Sequence, residues 1–140
     1  MGNFVDVPDL LIDWHKTVLG YANVVEADST TLPTNLLDLL RTDPVITIDR
    51  FGGNDVTPTI DVARVDIDCY ANSLAGAKLH AGAIRTAIRT ALVGHMFGGA
   101  VVLRVETLSA PTRLPYDSRS VVWRFGGSYQ VRTHQYTGVG

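Results

Sequence analysis

Residues 63–71 read Ala63-Arg64-Val65-Asp66-Ile67-Asp68-Cys69-Tyr70-Ala71, and small or apolar residues alternate with charged or aromatic ones along the whole stretch. Successive side chains of a β-strand point to opposite faces of the sheet, so this period of two predicts a strand over residues 60–71. One face of the strand is apolar and the other is charged. Such strands are typical of a sheet that helices cover on one face only.

Three further segments alternate in the same way and are rich in β-branched or aromatic residues: 45–51, 100–109 and 120–134. The third strand is predicted to place Val101, Leu103 and Val105 opposite Arg104 and Glu106. The last is predicted to place Val121, Trp123, Phe125, Tyr129 and Val131 opposite Arg124, Gln130 and Arg132. The connecting residues 52–59 and 110–118 are rich in Gly, Pro, Ser, Thr or Asp, which predicts extended loops.

Helical spacing of apolar residues marks two longer segments, 7–19 and 73–95, and a short turn at 36–41. In the longest of them the apolar stripe consists of Leu74, Ala77, Ala81, Ile84, Ile88 and Ala91. Gly98 and Gly99 follow it as a stop signal. Because the stripe recurs every three or four residues, we expect it to face the apolar side of the sheet.

These segments predict one α+β domain over residues 1–140. Its expected architecture is a single mainly antiparallel β-sheet of about four strands, with the long helix and the N-terminal helix packed on one face. The positions expected to be among the most buried are Val65, Ile67, Ile84, Ile88, Leu103 and Trp123.

Composition limits the functional classes. The chain has 140 residues, a hydrophobic fraction of 46%, a formal charge of −2 and one cysteine. Its apolar runs are far shorter than the roughly 20 residues that span a bilayer, so no membrane association is expected. Cys69 has no intrachain partner and lies on the apolar strand face, where a free thiol behaves as a core residue. The weakly negative charge gives no overall attraction to nucleic acid.

A catalytic metal site is one interpretation of the acidic residues. Asp66 and Asp68 share a strand face and Glu106 follows on another strand, which would suit a divalent metal and a metal-dependent nuclease. The alternative is a solvated face on which arginines pair with these acids. A nuclease of the Asp…Glu-x-Lys type would have a lysine where Leu108 stands. The scattered histidines, His15, His80, His95 and His134, are predicted to be surface or helix-end residues. We expect no catalytic residue, metal or cofactor.

Lys78, Arg85 and Arg89 lie on one flank of the predicted long helix, away from its apolar stripe. No acidic residue occurs between Cys69 and Leu103 to neutralise them. The flank is either a solvated surface or a basic surface that pairs with an acidic face of a neighbouring subunit.

Four stretches together resemble the tail-terminator family, the tail-to-head joining proteins of long-tailed bacteriophages (siphoviruses). They are Pro44-Val45-Ile46-Thr47-Ile48-Asp49-Arg50-Phe51-Gly52-Gly53, residues 63–71, a helix that begins near residues 75–77, and Tyr129-Gln130-Val131-Arg132. The resemblance covers residues 1–136 and is a pattern of elements with no chemical signature.

The resemblance implies a structural virion protein without enzymatic activity. It implies a homo-oligomeric ring, typically a hexamer, that caps the head-proximal end of the tail tube and stops its polymerisation. The implied partners are the tail tube protein and the head connector or head-completion protein, at the neck of a virion whose parts assemble in the host cytoplasm. Genomic DNA would pass through the ring without specific binding. Arg50, Gly52 and Gly53 match a contact loop of the family, although a turn explains the glycines equally well. A head-completion protein is the alternative within the same virion.

Overall fold

A computed structural model describes residues 5–28, 30–116 and 121–136, which fold around one six-stranded sheet. The strand order is β1-β2-β3-β6-β5-β4; β1 runs parallel to β2, and every other neighbouring pair is antiparallel. In chain order the elements are α1 (Val7–Thr17), β1 (Asn23–Glu26), α2 (Leu36–Leu39), β2 (Val45–Thr57), β3 (Ile60–Ala71), α3 (Leu74–Ala91), β4 (Met96–Phe97), β5 (Ala100–Leu114) and β6 (Trp123–Gln135).

The predicted mainly antiparallel sheet of about four strands is wrong: the sheet has six strands, is mixed, and curls into a half-barrel with three helices. The missed strands are β1 and β4, which contain four and two residues. Strands this short carry too few alternating side chains to show a period of two. The parallel pairing of β1 with β2 depends on contacts between distant residues, which local sequence does not record.

The predicted loops at 52–59 and 110–118 are also largely wrong, because β2 continues to Thr57 and β5 to Leu114; residues 117 and 118 lie outside the described part. Glycine and proline occur in these strands at bulges. The β2–β3 register shifts at Phe51 and Val56, and the β5–β6 register shifts at Leu103, at Leu108 and between Ser109 and Thr112. Bulges increase the local twist and bend of a strand, which accounts for the curl of the sheet.

The bulge at Leu103 also overturns the predicted faces of β5. Val102 pairs with Thr133 and Arg104 pairs with Arg132, so the extra residue reverses the side-chain parity within the strand. Leu103 is therefore 44% exposed, and Val102 is buried instead. Trp123 is only half-buried. The remaining expected core residues are confirmed, since Val65, Ile67, Ile84 and Ile88 are all buried.

The main hydrophobic core lies between one face of the sheet and helices α1 and α3. Helix α3 begins at Ser73, whose side chain accepts a hydrogen bond of 3.0 Å from the Gly76 amide. Its buried stripe is Ala77, Ala81, Ile84 and Ile88, continued by Leu92. The predicted stripe members Leu74 and Ala91 are exposed. Within the described residues no helix is long and apolar enough to cross a membrane.

A second, smaller core lies on the opposite face of the sheet, so the expectation that helices cover one face only is wrong. It consists of Leu36, Leu40, Val45, Tyr70 and Val122, with Leu32 and Leu39 packed against it. Tyr70 alternates with the charged residues of β3 and is completely buried. The charged face of β3 is therefore covered by α2 at one end and uncovered at the other.

Candidate interaction surfaces

The basic flank of α3 offers two exposed cations. Lys78 and Arg89 are exposed, whereas Arg85 is half-buried and its Nε has no hydrogen-bond partner among the residues that the structure describes. Arg85 lies close enough to the Tyr129 phenol to affect it: burial raises the pKa of Tyr129 to about 12, and the Arg85 charge partly opposes that rise. The predicted surface therefore consists of Lys78 and Arg89, while Arg85 packs towards the sheet.

Arg50, which the sequence suggests as a contact residue, is paired within the chain. Its Nη atoms donate to both carboxylate oxygens of Asp61 at 2.8 and 2.9 Å, and its Nε donates to the Gly52 carbonyl at 3.1 Å. Asp61 is only 2% exposed. A buried carboxylate needs such a bidentate partner, because an unpaired buried charge is costly. The structure therefore gives Arg50 a structural partner.

Gly52 and Gly53 lie inside β2, where the chain passes close to β3. Gly53 has a φ of +111°, and a Cβ at this position would lie 1.9 Å from the Val62 carbonyl oxygen. Only glycine avoids both the left-handed strain and this collision. The bulged strand explains Gly53 without a binding role, whereas a Cβ at Gly52 would make only an ordinary contact of 3.9 Å with Arg64 Cδ.

Asp66, Asp68 and Glu106 share one sheet face but have separate partners. Arg124 donates to Asp68 at 2.6 and 2.9 Å, Ser128 donates to Asp66, and Glu106 forms an ion pair with Arg104 at 2.9 Å. Burial raises the pKa of Asp68, although Arg124 opposes the rise. Asp66 and Asp68 line a recess with Ala27, Asp28, Thr47, Asp49 and Arg124, and Glu106 is not part of it.

The structure also brings together three exposed carboxylates that sequence analysis missed, which we name the acidic cluster: Asp6, Asp9 and Glu26. Their ligand-type oxygens all lie within 4.8 Å of one another. Desolvation and mutual repulsion raise the pKa of both Asp6 and Glu26. Asp6 and Asp9 flank the start of α1, and a helix N-terminus favours negative charge. Glu26 joins them only through the fold of β1.

An arginine patch, which consists of Arg64, Arg104 and Arg132, lies on the sheet face opposite the main core. Among the described residues, this part of the face is not covered by α2. Arg104 and Arg132 face each other as ladder partners on β5 and β6, and Arg64 lies on β3 opposite Gln130, two residues along from the partner of Arg132. All three are exposed, and Glu106 forms an ion pair with Arg104. Like charges directly opposite each other across strands are destabilising. The patch therefore retains excess positive charge at some cost to the fold.

Each of the four histidines lies in a different local environment. His15 lies in the last turn of α1, so its predicted helix-end position is confirmed, but it is completely buried and does not lie at the surface; its Nδ1 lies 2.7 Å from the Leu11 carbonyl oxygen. His80 bonds to the Tyr21 hydroxyl at 3.0 Å, and His95 lies 3.1 Å from the Asp13 carboxylate. His134 packs edge-on against Tyr136. No two of these four share a partner in the part of the chain that the structure describes.

The described residues thus define a curled mixed sheet, flanked by helices on both faces, whose unbalanced charges gather on separate surfaces. No protein-family model matches the chain, and no curated protein matches it. Among solved structures, it is similar to a chain from the virion of a native gene transfer agent (GTA) particle. The two share 16% sequence identity and a TM-score of 0.50, over 85% of this chain and 83% of the other. At this identity the likeness shows a common fold.

Proposed function

We propose that the chain is a non-enzymatic structural virion protein, a ring-forming tail terminator that caps the head-proximal end of a phage tail tube and joins it to the head connector. The observation that carries the proposal is the fold shared with a virion chain over 85% of the protein. It agrees with the resemblance of residues 44–53, 63–71 and 129–132 to tail terminators. The proposed role requires neither a metal nor a cofactor.

The distribution of charge supports self-assembly. The acidic cluster lies at the start of α1 and the end of β1, whereas the arginine patch lies on β3, β5 and β6. A ring subunit needs two different complementary surfaces, because a head-to-tail contact joins unlike patches. Lys78 and Arg89 on α3 add a further basic surface for a neighbouring subunit or another virion protein. Genomic DNA would pass through the ring without specific binding.

Tail length in a virus that lacks this protein tests the terminator function. Without a terminator the tube continues to polymerise, so negative-stain microscopy should show overlong tails without heads. Supplying the wild-type chain should restore normal length, whereas a chain with Gly53→Ala, which disrupts the β2–β3 contact, should not. Tails of normal length beside heads that leak DNA would assign the chain to head completion and overturn the proposal.

A further inference from the structure

We infer that the two edges of the sheet form the subunit contact, with the β1–β2 edge of one copy bound through side chains to the β5 edge of the next. The inference rests on the proposed ring and names its interface. Its basis is the placement of unbalanced charge and of exposed apolar side chains on both edges.

Both edges are largely uncovered in the described residues. β1 pairs with β2 only over Val45–Ile48, which leaves the rest of β2 as the sheet edge. On the other side, β4 pairs with Ala100 and Val101, and His95 extends the contact to Val102. From Leu103 onwards β5 is the edge, within residues 5–28, 30–116 and 121–136.

Bulges shape both edges in the same way. The extra residues are Phe51 and Val56 on β2, and Leu103 and Leu108 on β5. All four side chains are between 44 and 57% exposed. A bulge interrupts the regular ladder that an incoming strand needs, and bulges are a known protection of edges against backbone pairing. These edges therefore present apolar side chains to a partner and impede a continuous intermolecular sheet.

Charge on the two edges is opposite in sign. Near β1 and β2 lies the acidic cluster, and the pKa of Glu26 is raised by burial first and then by Asp6, Asp9 and Asp49. On β5 and the neighbouring β6 lie Arg104 and Arg132 of the arginine patch, which are direct ladder partners, whereas Arg64 lies further in, on β3. Arg50 partly opposes the rise in the Asp6 pKa and Glu106 pairs with Arg104, but repulsion within each group remains. Placing one against the other relieves both repulsions and surrounds the apolar side chains with complementary charge.

A second copy of this chain is the occupant that fits these features. Glu26 on β1 and Arg104 on β5 are separated by three strands of the sheet, so a contact between these two edges joins two copies. A contact between unlike edges is heterologous and closes into a ring when the rotation between copies permits. Because the sheet curls into a half-barrel, its two edges point in different directions, and an edge-to-edge contact therefore rotates each copy relative to the next.

Charge reversal on each edge tests the contact, with assembly mass followed by sedimentation velocity. Arg104→Glu with Arg132→Glu should raise the protein concentration needed for assembly by at least about tenfold, and Asp9→Lys with Glu26→Lys should do the same. Lys16→Glu with Arg41→Glu changes charge equally at exposed sites elsewhere and should leave assembly unchanged. Circular dichroism and thermal melting would verify that each variant is folded.

Mixing the two reversed chains gives the decisive result. Each new edge complements the other chain, so an equimolar mixture should assemble again with the two chains alternating in a 1:1 ratio. A folded mixture that stays monomeric, or a wild-type chain that never assembles, would overturn the inference. The inference would also be overturned if charge reversal at Lys78 and Arg89 abolished assembly while the edge variants assembled normally. Tail length tests the proposed function separately from the interface. If the edge contact is found but a virus that lacks the protein has tails of normal length, the terminator function is wrong and the interface remains.

Discussion

His15 shows how one residue ties the stability of this fold to pH. Its ring is completely buried against Trp14, and burial lowers its pKa from 6.5 to about 4. The Nδ1 proton is donated to the Leu11 carbonyl, which leaves an uncharged Nε2 without a partner in the core. Protonation would place an unpaired charge there.

We therefore expect stability to fall as the pH is lowered from 6.5 towards 4. In this window His15 is protonated in the unfolded chain but not in the folded chain, so the free energy of unfolding decreases as the pH falls. Below pH 4 His15 is protonated in both states and the decrease levels off. Since each unit of pKa shift corresponds to about 1.4 kcal/mol, His15 should lower the free energy of unfolding by roughly 2 to 3 kcal/mol at pH 4.5.

Urea unfolding at pH 7 and pH 4.5 measures this effect. The control is His15→Gln, which keeps a donor for the Leu11 carbonyl but does not titrate. Asp6, Glu26, Asp49 and Asp68 have raised pKa values and act in the opposite direction in both proteins, so the difference between the two curves isolates His15. Parallel curves would show that His15 is not buried in its neutral form.

At the scale of elements, α3 is the one that sequence defines best. Apolar residues at helical spacing predicted its buried face, and Ala77, Ala81, Ile84 and Ile88 do face the sheet. Its opposite face carries Leu79, which is 69% exposed although it is as apolar as the buried residues. Position on the helix, more than residue type, decides burial here.

Replacing Ile84 with aspartate should destabilise the fold by about 4 kcal/mol, because Ile84 is only 2% exposed and the new carboxylate would be buried without a partner. Leu79→Asp on the same helix is the matched control and should change stability by less than about 1 kcal/mol. Chemical denaturation of both variants provides the comparison. Equal effects would mean that α3 packs on the sheet with another face.

The β-strands show where sequence ceases to predict this fold. Alternation located β3 and β6 because their residues pair in an unbroken register from Ile60 to Ala71. It failed along β5, since each bulge reverses the parity and the period of two is lost after a few residues. The same limit applies to the interaction surfaces: Asp9 and Glu26, or Arg104 and Arg132, become neighbours only through the fold and the strand order. No local pattern contains that order.

At the scale of the whole molecule, two hydrophobic cores of unequal size share one sheet. The main core joins α1 and α3 to the sheet with residues from most strands, whereas the smaller core holds α2 through five buried residues. Fewer buried apolar contacts give a region a lower free energy of local opening. The α2 side should therefore open while the main core stays folded.

Truncating one leucine in each core tests this separation. Leu40 is 4% exposed in the smaller core, and Leu10 is completely buried in the main core. Leu10→Ala should lower the global free energy of unfolding by about 3 kcal/mol, because it leaves a cavity in the larger cluster. Leu40→Ala should act mainly on the local opening of α2. Native-state hydrogen exchange would then show faster exchange of the Leu39 and Leu40 amides, which bond within this segment, and little change at the β3 amides. If Leu40→Ala accelerated exchange throughout β3 as much as Leu10→Ala does, the two cores would unfold as one cooperative unit.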